Sequence, residues 1–234
     1  MMLQLLQLFI KEGKTIIIMK KFAVILAGCG IYDGAEIHEA TLTLLAIKKL
    51  GAAYQCFAPD ISHHHVINHI TGDEMNEERN VLVESARIAR GDIKPLGDFN
   101  PKEFDALIFP GGFGVAKNLC TFAFDGFNAS VNKEVEKAVK EMQKLKKPIG
   151  AMCIAPVLIA KIIGDVNVTI GKDEATAETI EKMGATHITA NYDDVVIDDR
   201  HNVFTTPYYM EATDIVQVYE GAYNIIEAML KVMG

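Results

Sequence analysis

The chain has 234 residues, half of them hydrophobic and 23% charged, which suits one folded α/β domain and excludes a disordered chain. A formal net charge of -8 argues against nucleic acid or an anionic membrane as a partner. No apolar window reaches the ~18 residues of a transmembrane helix, and Cys29, Cys56, Cys120 and Cys153 form no CxxC pair, so reduced thiols in a cytoplasmic protein are expected.

Residues 1–18 lack the basic start and the A-x-A site of a signal peptide, and they read as an extension outside the fold, with a short surface helix as the alternative. The apolar run 22–27 is a buried strand that feeds Gly28-Cys-Gly30. A helix is predicted over 36–50, closed by Gly51, then a strand over 53–58. Residues 59–74 are polar and histidine-rich and read as a loop. A helix over 76–88 and a strand over 104–109 follow, the strand running into Pro110-Gly-Gly-Phe-Gly114. Then come a charged helix over 132–145, a very short strand over 149–152 and a helix over 154–163 closed by Gly164. Residues 166–170 and 187–190 read as strands flanking a helix over 175–183. Segments 195–197 and 203–205 form a hairpin around a polar turn, and a long helix over 210–232 ends the chain. This alternation predicts a flavodoxin-like α/β fold: a mostly parallel sheet with helices on both faces and a late β-hairpin.

In such sheets ligands sit beyond the carboxyl ends of the strands. Three motifs fall there: residues 28–39, residues 110–114, and Cys153 in Pro148-Ile-Gly-Ala-Met-Cys-Ile-Ala-Pro156. A cysteine on a sharp strand-to-helix turn lies over a helix N-terminus, whose dipole and free N–H groups favour a nucleophilic thiolate. The glycine pair Gly111-Gly112 can turn backbone N–H groups inward as an oxyanion hole. Glu36 and Glu39 share a face of the first helix, where either could hold or move a proton beside the thiol. GxxxxGK[ST] and GxGxxG are both absent, so no nucleotide cofactor is predicted. His63, His64 and His65 are consecutive and cannot all face one ion from a regular element, so no metal is predicted either.

The runs Gly28-Cys-Gly-Ile-Tyr-Asp-Gly-Ala-Glu-Ile-His-Glu39, Val66-Ile-Asn-His-Ile-Thr-Gly72, Pro110-Gly-Gly-Phe-Gly-Val-Ala-Lys-Asn118 and Cys153-Ile-Ala-Pro156 carry a resemblance. From residue 19 to 234 the chain resembles the ThiJ/PfpI branch of the class I glutamine amidotransferase-like superfamily, in particular the enhancing lycopene biosynthesis or sigma cross-reacting proteins. The resemblance implies one amidotransferase-like domain over 19–234, with Cys153 as nucleophile and oxyanion donors from the Gly111-Gly112 turn and the Ile154 amide. The glutamate beside the thiol falls on Glu39 counting back from Gly51, and on Glu36 counting from the strand; Glu39 is the favoured reading. Residues 154–172 contain no histidine, and the only late ones are His187 and His201. A Cys-His-acid triad is therefore not expected, which counts against glutaminase and protease activity.

The resemblance and the residues together predict a cofactor-independent glyoxalase acting on small 2-oxoaldehydes through Cys153 and a glutamate. The alternative is a redox-sensing or non-catalytic amidotransferase-like protein linked to isoprenoid metabolism. A homodimer is expected by analogy.

Overall fold

Three strands of the central sheet bury every one of their side chains, and the sheet owes its place inside the molecule to them. The computed structural model describes residues 8–11, 14–17 and 19–234. Its strands and α-helices, in chain order, are β1 (Leu8–Lys11), β2 (Lys14–Ile17), β3 (Lys21–Ile25), α1 (Ile37–Lys49), β4 (Ala53–Ala58), α2 (Val81–Ile88), β5 (Ile93–Pro95), β6 (Ala106–Phe109), α3 (Phe122–Asp125), α4 (Lys133–Lys144), β7 (Ile149–Met152), α5 (Pro156–Ile163), β8 (Asn167–Val168), α6 (Glu174–Lys182), β9 (Thr186–His187), β10 (Val196–Asp198), β11 (Val203–Thr206) and α7 (Ile215–Met233). The three fully buried strands are β6, β7 and β11.

Seven strands form the main sheet in the order β10-β11-β7-β6-β3-β4-β5. All neighbours are parallel except β10 and β11, the expected late hairpin. The chain builds outward from β3 through β4 to β5, then crosses back to place β6 on the other side of β3. That reversal opens a crevice at the carboxyl ends of β3 and β6, where both glycine motifs lie.

Side chains alternate across β3, as its pleat requires. Phe22 and Val24 pack with Leu44 and Ile47 of α1 and with Ile225 and Met229 of α7. Ala23 and Ile25 pack with Val139 and Met142 of α4 and Leu158 of α5 on the opposite face. The fold is the flavodoxin-like arrangement that the sequence predicts.

Several elements differ from their expected form. Strands β1 and β2 pair antiparallel with each other, in a sheet of their own, so residues 8–11 and 14–17 do not form the alternative surface helix; the rest of 1–18 lies outside the described residues. Strand β5, a three-residue edge containing Pro95, is absent from the sequence reading. The expected strands over 166–170 and 187–190 shrink to the two-residue pieces β8 and β9, which pair only with each other. Helix α2 starts five residues late, because the Asn80 side chain accepts the Val83 N–H and fixes the first turn there. Helix α7 starts at Ile215 instead of 210, behind an Asp214 cap that accepts the N–H groups of Val216 and Gln217.

Candidate functional site

Strand β7 ends at Met152, and the chain turns at once into α5. Cys153 sits on that turn with φ +56°, a conformation that an L-residue adopts only at a cost. Its N–H donates to Thr206 O at 3.0 Å, tying the turn to the end of β11, and Ala155 N–H donates to Met152 O at 2.9 Å. The backbone N–H groups of Gly112 and Ile154 point at the sulfur. The structure thus gathers Cys153, Gly112 and Ile154 around one atom.

Glu39 stands opposite. It lies in the first turn of α1, whose N-cap is Glu36: Glu36 Oε2 accepts the Glu39 N–H at 2.7 Å. The Glu39 carboxyl is wholly buried. Its Oε1 accepts the Tyr209 N–H at 3.3 Å, and the nearby Gly111 amide favours the charged form of the carboxyl. Oε2 has no ordinary hydrogen-bond partner among the described residues; the Cys153 thiol is the polar group that faces it. A Cβ at Gly111 would fall 2.5 Å from Glu39 Oε2, 2.4 Å from Cys153 Cβ and 3.0 Å from Cys153 Sγ. Carboxylate and thiol therefore flank one small space that only glycine leaves open. Gly112 beside it has φ +101°, the left-handed turn that aims its N–H at the sulfur.

Burial pushes the Glu39 carboxyl up to about 8, with the neighbouring Glu36 adding to the rise and the thiol and the amides of Tyr209 and Gly111 opposing it. Burial also holds the Cys153 thiol well above its ordinary 9.0, and Glu39 raises it further, against the Gly112 and Ile154 amides. Desolvation and the buried carboxyl thus oppose the thiolate that the amide donors and the helix end favour.

Glu36 and Glu39 have separate places. Glu36 caps α1 and lines the cavity; Glu39 lies against the sulfur. A cavity of about 390 Å³ opens over Cys153, lined by Glu36, Glu39 and Gly112 together with apolar groups such as Ile31, Phe113, Phe122, Ile154 and Met210. Tyr209 and Thr206, which fix Glu39 and the Cys153 turn, are missing from the sequence reading. Their one signal is position: Thr206 ends a strand that pairs with β7 and Tyr209 lies three residues beyond it, which is visible only once β11 is known to pair there. The adjacent Tyr208, at φ +50°, buries its ring, and its hydroxyl pairs with that of Thr43 at 3.1 Å.

The other candidate groups are not at the sulfur. His38 leaves the cluster and pairs its Nδ1 with Tyr209 Oη at 2.8 Å. His201 pairs with Asp198 at the amino end of β11, the strand end opposite Thr206. His64 packs tilted against the Phe124 ring and His65 meets that ring edge-on. Among the described residues no three His, Cys, Asp or Glu side chains are grouped to hold a metal ion. Burial raises the Cys56 thiol to about 12 and the Cys120 thiol to about 11.

The sequence model of the DJ-1/PfpI family matches residues 30–208. The chain is 45% identical over 224 residues to the rat protein named ES1 protein homolog, mitochondrial, covering 92% of this chain and 84% of that one. It has the same identity and coverage with the human protein named glutamine amidotransferase-like class 1 domain-containing protein 3, mitochondrial. A crystal structure of an isoprenoid biosynthesis protein with an amidotransferase-like domain from Ehrlichia chaffeensis superposes with a TM-score of 0.84 at 40% identity, over 91% of this chain and 99% of that one.

Proposed function

The chain belongs to the DJ-1/PfpI family, among the ES1 proteins, and on that premise we propose that it is a cofactor-independent glyoxalase acting on small 2-oxoaldehydes. One observation carries the reading: a wholly buried glutamate with its pKa near 8 faces a cysteine thiol at the floor of a cavity. A carboxyl that loses its proton near physiological pH is suited to take and return protons.

The chemistry balances without an added oxidant. Ionised Glu39 takes the Cys153 proton while Sγ bonds to the aldehyde carbon C1. The oxygen on C1 faces the amides of Gly112 and Ile154 and receives the proton, leaving a hemithioacetal. Glu39 then removes the hydrogen on C1 as a proton, and the electron pair forms a C1–C2 double bond, placing charge on the C2 oxygen. A proton passes from the C1 oxygen to the C2 oxygen, and Glu39 returns its own to C2. C1 is oxidised to a thioester as C2 is reduced to an alcohol. Water adds to C1, the S–C1 bond breaks, Sγ regains a proton and a 2-hydroxy acid leaves.

The test is lactate formation from methylglyoxal. Wild-type protein is expected to produce it, and Cys153→Ala to lower kcat to background; equal lactate from both would end the proposal.

The same amides and a protonated Glu39 could hold the oxygens of an oxidised Cys153, the basis for the redox-sensing reading. An unmodified intact mass after mild peroxide would remove it. Glutaminase or protease chemistry through a Cys-His-acid triad is disfavoured, since no histidine among the described residues lines the cavity. A homodimer belongs to the proposal by analogy and is checked by mass in solution. A cytoplasmic location is likewise proposed; the rat and human relatives are named as mitochondrial, and reduced thiols suit either compartment.

A further inference from the structure

Methylglyoxal ends in a single methyl group, yet the cavity over Cys153 measures about 390 Å³, a size that encloses much larger ligands. Its walls divide by chemistry. Cys153, Glu39 and Gly112 supply the reactive groups; Ile31, Phe113, Phe122 and Met210 supply apolar surface. Its ionisable groups other than the thiol and the Tyr209 phenol are three carboxyls, Glu36, Glu39 and Asp173, with no lysine, arginine or histidine among the lining residues. The hydroxyl and amide of Thr176 hold the Asp173 carboxyl below its ordinary range, so it is ionised at neutral pH.

We infer that the substrate is an uncharged 2-oxoaldehyde carrying an apolar aryl or branched alkyl group, lodged between Phe113, Phe122 and Met210 while its aldehyde meets Cys153. The inference rests on the glyoxalase reading and adds the substrate class to it. Two forces select this class. Apolar area removed from water favours a large substituent. A substituent ending in a carboxylate would enter a cavity with carboxyls and no counter-cation, and would be repelled. The same field helps the product leave, because turnover converts a neutral aldehyde into an anion.

Phe113 is the specificity determinant most open to substitution. It is 48% exposed, so its removal leaves the core intact. It also lines a neighbouring hollow with Tyr32 and Lys117, so its ring forms the outer wall of the substrate cavity.

The test compares kcat/KM for three aldehydes by chromatography of their products: methylglyoxal giving lactate, phenylglyoxal giving mandelate, and 4,5-dioxopentanoate giving 2-hydroxyglutarate. Phenylglyoxal is expected to exceed methylglyoxal by about tenfold or more, and 4,5-dioxopentanoate to fall below it by a similar factor. Phe113→Ala is expected to cut the phenylglyoxal-to-methylglyoxal ratio several-fold. Equal or better use of methylglyoxal, or efficient use of the carboxylate-bearing aldehyde, overturns the inference. If no aldehyde gives a Cys153-dependent product, the glyoxalase reading fails by itself. The cavity is then tested by protection of Cys153 from iodoacetamide: benzaldehyde should protect at lower concentration than acetaldehyde, and glyoxylate least. Protection by glyoxylate at or below the benzaldehyde concentration overturns the inference independently of turnover.

Discussion

At the residue scale, the site turns on who holds the proton between Glu39 and Cys153. The Glu39 charge raises the thiol, so an ionised Glu39 opposes thiolate formation even though it is the base that the proposed reaction needs. The two roles separate by experiment. In Glu39→Gln the charge is gone, and the pH profile of Cys153 alkylation, followed by peptide mass mapping, is expected to move down by about one unit or more. The proposed glyoxalase turnover is expected to vanish in the same variant. A profile that stays put or moves up would mean that the carboxyl does not control the thiol. The sequence made Cys153 and Gly111-Gly112 legible through the strands that precede them. It left Glu36 and Glu39 both open, since residues three apart share a helix face and only the cap settles which one turns inward. Tyr209 was not legible at all, because its contact with Glu39 depends on a pairing between distant strands.

At the element scale, the strongly periodic helices α1, α4, α5 and α6 and the strands β4, β6 and β7 follow from the sequence pattern to within a residue or two. The losses have physical causes. Strand β5 is too short to show alternation, and β8 and β9 lie outside the main sheet, so their apolar neighbours read as more strand than they are. Helix α7 was begun too early because Met210 and Ala212 continue its apolar pattern, whereas the chain there makes a 3-10 turn after the left-handed Tyr208. The true start is set by Asp214. Asp214→Ala is expected to destabilise the protein by about 1 kcal/mol, lowering Tm by about 2–4 °C on thermal melting, with the proposed turnover little changed. No shift in Tm would mean that the cap contributes nothing to α7.

At the scale of the whole molecule, the buried Glu39 couples stability to pH. Its ordinary value of 4.5 rises to about 8 in the fold. The folded state therefore holds a proton that the unfolded state releases between those values. The resulting stabilisation is complete below about pH 4.5 and is lost as pH rises through 8, a change on the order of a few kcal/mol. Other groups titrate too, so the observable is a difference. Wild-type stability by urea unfolding is expected to decline relative to Glu39→Gln between pH 5 and 8.5; parallel curves for the two proteins would show that the carboxyl is not desolvated as described.

The place where Thr206 O receives the Cys153 N–H has a consequence for how the chain reaches its native state. The site is assembled from residues near 39, 111, 153 and 206, each delivered by a different strand-to-helix or strand-to-loop junction. A chain could collapse with β11 slipped by one residue against β7 and still hide much of its apolar surface, yet every side chain on β11 would change faces. Tyr208 and Tyr209 would then be misplaced and the Glu39 carboxyl left without its amide. The cysteine pocket is therefore a witness to correct strand registration. It exists only in molecules whose most distant pairings have already closed, and such pairings are the slow ones.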